Sequence, residues 1–273
     1  MISSLRPAPA LRPFVKFYYQ IDATLDPAGI QQPVPARSPE ILEFMFATPY
    51  VVERLHHGTR QNACASALVG TKTHRHVNLS LSGRVDAFTI AFHPGGIAAL
   101  FGIPSHELTD LDFDARDVLG GVIGSLRDQL GEQNGIADRA RVADRFLAAR
   151  LPDFTHDSAA ITAARVIHRG NGAVQVAQLA SHAGLGLRQF ERRFREEVGI
   201  APKLYARIVR FEAALRRKST QPASRWSEVA HSLGYFDQMH MIHDFRRLSD
   251  ETPTAIGDQM DMFVLPEVEL RQL

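Results

Sequence analysis

The sequence predicts an α+β chain. A β-rich N-terminal domain, a small barrel or antiparallel sheet plus helices, is expected over residues 1–153. An all-α domain with two helix-turn-helix units joined by a linker helix follows over 154–260, and an acidic tail over 261–273. Three observations carry this division. Short, apolar, β-rich runs separated by Gly and Pro fill the first hundred residues before any long helical pattern. A helical hairpin pattern runs from Val174 to Pro202, and a second copy of it runs from Trp226 to Pro253.

Taken in order, the Pro-rich opening contains LRPFVKFYYQI, whose Phe14, Phe17, Tyr18 and Tyr19 suit a strand or edge segment packed on a core. ILEFMFAT (Ile41–Thr48) alternates poorly but is β-rich and apolar, so it reads as a buried strand. SALVGTKT, HVNLSLSG and VDAFTIAFHPGG continue the series, with turns at Gly70, Ser82-Gly83 and Pro94-Gly95-Gly96. GIAALFG then reads as a short helix. The stretch SHELTDLDFDARDVLGGVIGSLRDQLGEQ holds at least one amphipathic helix on Val118, Val122, Ile123, Leu126 and Leu130. Another spans Ile136–Leu151, and Pro152-Asp153 stops it.

In the first hairpin pattern Val176, Leu179, Ala180 and Ala183 fall at helical spacing, Gly184 and Gly186 interrupt it, and Phe190 and Phe194 resume it. Two short helices around a tight Gly turn form a helix-turn-helix, whose second helix is narrow enough for a DNA major groove. Ala180 and Gly184 recur fifty residues on as Ala230 and Gly234. Phe194 and Pro202 recur fifty-one on as Phe245 and Pro253, so the second turn holds one more residue. Two copies are too few for a solenoid, which needs roughly three or more units. Between them Leu204, Ile208, Phe211 and Leu215 mark one helix from Pro202 to about Lys218, with Pro202 suited to its first turn. A stiff spacer of this kind can set two recognition helices in successive major grooves, about 34 Å apart.

Residues Ala159 to Ile256 resemble the AraC/XylS family of bacterial transcription regulators. The residues that carry the resemblance are Ala230, Gly234, Tyr235, Asp237, Gln238, Phe245, Arg246, Arg247 and Pro253. Two departures stand out. Ser249-Asp250-Glu251-Thr252 replaces a Gly-containing turn, and Gly186 replaces a capping Ser. The N-terminal part is similar to the β-rich sensor regions that precede such readers, through an acidic residue at Glu40, Val69-Gly70, and FHPGGIAALFGIPSHELTD before acidic Asp110–Asp117. The resemblance implies a DNA-binding regulator with an effector-binding or dimerising N-terminal module. Its expected partners are promoter DNA, a small-molecule effector, a second copy of the chain, and RNA polymerase.

It also implies which side chains meet DNA. In the first recognition helix, Leu187 to Val198, the base-facing positions fall on Arg188, Glu191 and Arg192, whose i, i+3, i+4 spacing shares one face opposite Phe190 and Phe194. Arginine grips guanine O6/N7, and glutamate accepts from cytosine N4. Glu191 equally suits an intrahelical pairing with Arg188 or Arg195. In the second helix, Asp237 to Leu248, the positions fall on Gln238, Met239, Ile242 and His243, with Asp237 as cap. Arg193, Arg195, Lys203, Arg207, Arg210, Arg246 and Arg247 are the expected phosphate contacts. Phe194, Phe245, Leu179, Val229, Leu233 and Trp226 are expected in the core.

The charge distribution agrees. The chain's net charge is only +1, yet from Gly184 to Lys218 ten Lys/Arg face four acids, the local excess that phosphate contact requires. One cysteine, Cys64, excludes an internal disulfide framework and a multi-cysteine zinc site; a redox-sensing role and a small buried residue are both open for it. No apolar run approaches the ~18 residues of a membrane span, and no signal-peptide pattern opens the chain, so a soluble, cytoplasmic, nucleoid-associated protein is expected. His74 and His76, with the later His93, outline a cupin-like metal set, but the carboxylate expected soon after the pair is missing. His56-His57 on a strand would point to opposite faces. No metal or cofactor is expected, and no Ser-His-Asp set, P-loop or dinucleotide fingerprint points to an enzyme. Two alternatives stay open: a metal-dependent, cupin-like enzyme domain fused to a DNA reader, and a constitutive architectural DNA binder.

Overall fold

The computed structural model describes residues 2–56, 58–152 and 158–259. The expected domain boundary at 153/154 and the acidic tail over 261–273 lie outside the described residues.

The chain opens with β1 (Ile2–Leu5), a 3-10 turn at Pro9–Leu11, β2 (Val15–Thr24), β3 (Ile30–Val34), β4 (Ile41–Met45), β5 (Val51–Arg54) and β6 (Thr59–Asn62). It continues through β7 (Ser66–Val69), β8 (Val77–Leu81) and β9 (Arg84–Phe92) to helices α1 (Gly96–Phe101) and α2 (Ser105–Leu108), then β10 (Asp112–Asp114). Helices α3 (Ala115–Leu119), α4 (Val122–Gly131) and α5 (Ile136–Ala148) complete this half. The strands form two antiparallel sheets, ordered β1-β2-β9-β4-β7-β10 and β3-β8-β5-β6.

The six-stranded sheet is apolar on both faces because both faces are covered. Along β9, Phe88, Ile90 and Phe92 join a cluster with Ile97, Ile123, Leu126 and Leu147 from the helices. The alternate positions Val85 and Ala91 instead join Phe17, Tyr19, Ile21, Ile41 and Leu81 between the sheets. This two-sided burial is why Ile41–Met45 lacks alternation: every residue of β4 is buried. Sequence periodicity missed β1, β3, β5, β6 and β10. Strand β6, TRQN, is exposed throughout, and β3 carries Pro33 at a sheet edge. Backbone pairing rather than burial makes them strands. Gly70 follows β7 where a Cβ would stand 1.8 Å from the carbonyl oxygen of Leu108, so the strand end meets α2 only through a bare backbone.

The C-terminal half is helical: α6 (Ala159–Arg169), α7 (Val176–His182), α8 (Leu187–Val198), α9 (Pro202–Thr220), α10 (Trp226–Ser232), α11 (Gln238–Ser249) and α12 (Pro253–Gln259). Helices α7/α8 and α10/α11 are the two helix-turn-helix units, and α9 is the linker. Gly184 and Gly234 turn the chain at φ +65° and +69°, the left-handed region that a side chain enters only with strain. Phe190, Phe194, Phe211, Val229 and Phe245 are fully buried in a core of their own, with Leu179 and Trp226 partly buried against it. The indole of Trp226 stacks edge-on to Phe245 at 5.5 Å. Among the described residues no helix is long and apolar enough to cross a membrane.

The two recognition helices start differently. Asp237 caps α11, its carboxylate accepting from the His240 amide at 2.7 Å. Gly186 stands at the corresponding position of α8 with no side-chain cap, at φ −64° and ψ 147°, and a Cβ there would meet nothing within 4 Å. Gly186→Ser is therefore expected to stabilise the chain by a few tenths of a kcal/mol, roughly the Gly-to-Ser capping difference. Thermal unfolding checks it, and a lowered midpoint would show that the first turn is held by something other than its cap.

Candidate nucleic-acid interface

Helix α8 divides its side chains by face. Phe190, Phe194 and Val198 point into the core, while Arg188, Arg192, Arg193 and Arg195 are exposed and Glu191 is half-buried. Arg188, Glu191 and Arg192 thus lie together on the outward side, as their spacing predicts. Arg192 comes within 4.0 Å of Glu196, one turn on. This is an exposed pair of small energy that leaves the guanidinium available.

Helix α11 presents Gln238, Met239 and His243 to solvent and Ile242 half-buried, while Met241, Phe245 and Leu248 face inward. Met239 is 66 % exposed, and Phe236, in the turn just before the helix, is 93 % exposed. An aromatic ring left in water beside the outward face of a recognition helix suits apolar contact with thymine methyls or sugars. Sequence reasoning passed over Phe236 because it sits in a turn, outside the helical periodicity.

The basic residues fall into two groups. Arg193, Arg195, Lys203, Arg246 and Arg247 are exposed and fit phosphate contact. Arg207 and Arg210 do not. Arg207 donates through Nε and Nη2 to Asp244 Oδ1 at 2.9 and 2.6 Å, and Asp244 is buried in α11. Arg210 donates to the Gly172 carbonyl at 2.7 Å and lies over the Tyr235 ring. Both guanidinium groups are engaged inside the reader, bracing the linker against α11 and the α6–α7 turn. The expectation of phosphate contact at these two positions is corrected accordingly. The sequence count could not separate them, because a helix shows its charges without showing which face is covered.

The β-rich half touches both units. At α8, Thr109 Oγ1 donates to the Gly199 carbonyl at 3.2 Å, and His106 Nδ1 lies 3.2 Å from the Glu196 carbonyl. At α11, the Ala36 amide donates to the Leu248 carbonyl at 2.8 Å. On the linker, Glu212 accepts from the Ser38 amide and hydroxyl at 2.7 and 2.6 Å. Beside this bond the Glu40 carboxyl is buried near Ser105 and Tyr205, and burial pushes it up to about 7.

A cavity of about 210 Å³ opens between the sheets and is closed on one side by the linker, through Phe211, Glu212, Leu215 and Arg216. Its walls are apolar, from Phe17, Ile41, Leu79 and Val85. Charged groups of both signs also line it, Arg37, Lys72 and Arg216 with Glu43, Asp112 and Glu212. Glu43 accepts from the Tyr50 hydroxyl, Arg37 has a buried Nε with no hydrogen-bond partner, and burial drops the Lys72 ammonium to about 8. Cys64 also lines the space; burial, then Asp114 and Asp112, raise its thiol, which disfavours the reactive thiolate.

The histidines separate. His93 lies at the end of β9 among Lys16, His168 and Arg165, and burial followed by those charges lowers it to about 3. It is not grouped with His74 and His76, so the expected outline of a three-histidine cupin set is not formed by these residues. Their third neighbour is His56, in the turn between β5 and β6 rather than on a strand.

Comparison with known proteins places these features. A family model described as a helix-turn-helix domain matches residues 179–259, and one described as a domain of unknown function matches 3–114. No curated protein sequence matches the chain. Solved structures of ToxT from Vibrio cholerae share the fold. One superposes with a TM-score of 0.53 at 9% identity over 94% of this chain and 98% of that one. A second, bound to (E)-4-(8-methylnaphthalen-1-yl)but-3-enoic acid, gives 0.52 at 8% over 95% and 99%. A third, bound to an unsaturated fatty acid, gives 0.50 at 10% over 88% and 94%. At such identities the likeness is one of fold.

Proposed function

We propose that the chain, whose residues 179–259 match a helix-turn-helix domain, is a regulator of the AraC type, that it binds specific promoter DNA through α8 and α11, and that a small molecule in the N-terminal cavity controls how the two helices are presented. The observation that carries this reading is the pair of outward faces, Arg188/Glu191/Arg192 on α8 and Gln238/Met239/Ile242/His243 on α11, on two like hairpins braced by one linker. Arg193, Arg195, Lys203, Arg246 and Arg247 supply the phosphate contacts in this reading, and Phe236 joins the apolar edge of the second reader.

The division of labour follows the two cores: the β-rich half as sensor, residues from α6 to α12 as reader. The cavity supports effector control because its wall includes the linker itself. A molecule filling it touches the sensor and the spacer between the readers at once. An apolar lining with a buried, unpartnered Arg37 Nε and Lys72 nearby suits a small amphipathic acid. The ToxT structures that hold a fatty acid and an aryl butenoic acid support the same class of ligand. Dimerisation through the N-terminal half and contact with RNA polymerase belong to the same proposal.

Arg192→Ala tests the reading. It is expected to weaken binding to a cognate promoter fragment by about 1–3 kcal/mol and to relax preference at one base pair, leaving affinity for random DNA little changed. Arg195→Ala should weaken all sequences alike and reduce the salt dependence by about one counterion. Fluorescence anisotropy on cognate and scrambled duplexes across salt concentrations distinguishes the two. Equal losses on both duplexes from Arg192→Ala would remove it from base reading, and no affinity for any promoter fragment at low salt would overturn the function.

A further inference from the structure

A group of histidines lies outside the proposed reader and cavity. His56 stands in the turn that joins β5 to β6, and His74 and His76 stand in the loop that leads into β8. The Leu55 amide donates to the His76 carbonyl at 2.9 Å, which ties the turn to the loop. The rings of His74 and His76 have centroids 3.6 Å apart, and that of His56 lies 5.9 and 6.1 Å from them. One ring nitrogen from each residue can be chosen so that all three lie within 4.8 Å of one another.

The surroundings set the nitrogens for ligation. Thr73 Oγ1 donates to Asp110 Oδ2 at 2.6 Å, so toward His74 Nδ1, 3.0 Å away, it can only accept. The proton of His74 is thereby held on Nδ1, and the lone pair is left on Nε2. A carboxylate acting through a hydroxyl on the non-ligating nitrogen is the outer shell that histidine ligands of metals ordinarily have. His76 Nε2 is buried and has no hydrogen bond. It lies 3.0 Å from Asp110 Oδ1, near the separation of two donors on one metal ion.

We propose that His56, His74 and His76 form a binding site for a zinc-class divalent transition-metal ion, with Asp110 supplying the fourth donor. Three imidazoles and one carboxylate suit zinc, which takes nitrogen at about 2.0–2.1 Å in tetrahedral geometry. Two nitrogens so placed lie about 3.4 Å apart, so ring nitrogens now within 4.8 Å of one another need to close by at most about 1.4 Å. Ligation requires neutral rings, so binding releases protons and weakens in acid. The carboxylate that sequence reading sought shortly after the histidine pair comes instead from Asp110, after α2, where only the fold brings it beside them.

The test uses the full chain without a histidine tag, stripped by chelator and titrated with Co²⁺ and then Zn²⁺. The expected result is one equivalent per chain, with the visible absorption of tetrahedral Co²⁺ bleached as Zn²⁺ displaces it. His56→Ala and His76→Ala should each lower affinity at least tenfold, and His93→Ala should leave it unchanged. His76→Gln guards against a folding defect: with a native unfolding midpoint and metal binding lost, the assignment stands. Binding below half an equivalent in the wild-type chain would overturn the site, as would full retention in the His56→Ala, His76→Ala double variant. A site lost equally in His93→Ala would overturn it too.

Discussion

Replacing Asp244 by alanine is expected to destabilise the chain by about 3 kcal/mol, at the lower end of the 3–5 kcal/mol typical when one partner of a buried ion pair is removed. Asp244 is 2 % exposed and its partner Arg207 19 %. The carboxylate on α11 takes two hydrogen bonds from one guanidinium on the linker. Removing it strands a cation beneath the second recognition helix, and only the partial exposure of Arg207 lets it turn toward water, which sets the lower figure. Asp244→Asn keeps the shape and one acceptor and should lose about 1–2 kcal/mol, on the scale of a hydrogen bond to a charged group. The double change Arg207→Met, Asp244→Leu should recover much of the alanine loss, because it leaves no unpaired charge. Urea unfolding followed through Trp226, the chain's single tryptophan, reads these values directly, since its indole packs on Phe245, the residue after Asp244. A loss under 1 kcal/mol for Asp244→Ala would mean that this pair does not set the angle between linker and reader. The same variant should also weaken DNA binding, because α11 would lose the brace that fixes its pitch.

That brace was invisible in the sequence, and the reason is physical. Gly184 and Gly234 announce themselves because a φ near +65° admits little else, and Phe190, Phe194 and Phe245 because burial on one face imposes a helical period. Local rules of this kind made the reader legible down to the start and end of α8. Arg207 and Arg210 obey no such rule. Their charge reads the same whether it meets a phosphate, a buried carboxylate or a backbone carbonyl, and only tertiary packing decides. The sheets were half legible for the same reason. Strands β2, β4 and β9 carry apolar residues that had to be covered, whereas half-buried β5 and exposed β6 are strands by backbone pairing, β6 with β5 and β5 with β8. The contacts between the halves, Ser38 to Glu212 above all, join residues 174 positions apart, and no periodicity spans that distance. At the histidines, His74 and His76 were visible as a pair, but His56 and Asp110 reach them from other loops.

Those contacts between the halves carry the second large effect, a dependence of stability on pH. Glu40 lies buried where β4 begins, facing Ser105 on α2 and Tyr205 on the linker, a ring that Glu212 also neighbours. Burial lifts its carboxyl from the ordinary 4.5 to about 7, while the neighbouring Ser105 hydroxyl pulls it modestly back. In the unfolded chain the same group titrates near its ordinary value, so the folded state holds the proton more tightly. The stabilisation is therefore fully present below about pH 4.5 and is lost as pH rises through about 7. A shift of this size corresponds to something on the order of 3 kcal/mol. Glu40→Gln, which fixes the neutral form in nearly the same volume, is expected to raise stability at pH 8 by up to that amount and to change little at pH 5. Denaturant unfolding at both values checks the sign: a variant less stable than wild type at pH 8 would show that the ionised carboxylate is the form the fold prefers. The group sits between the half that holds the cavity and the helix that spaces the readers. The loss at high pH should therefore appear first as looser contact between the halves, measurable as faster amide exchange at Ser38, whose NH is bonded to Glu212 on the linker. Faster exchange spread evenly over β9 and the fully buried core of the reader would instead mark global unfolding, and would sink the idea that Glu40 acts at this seam.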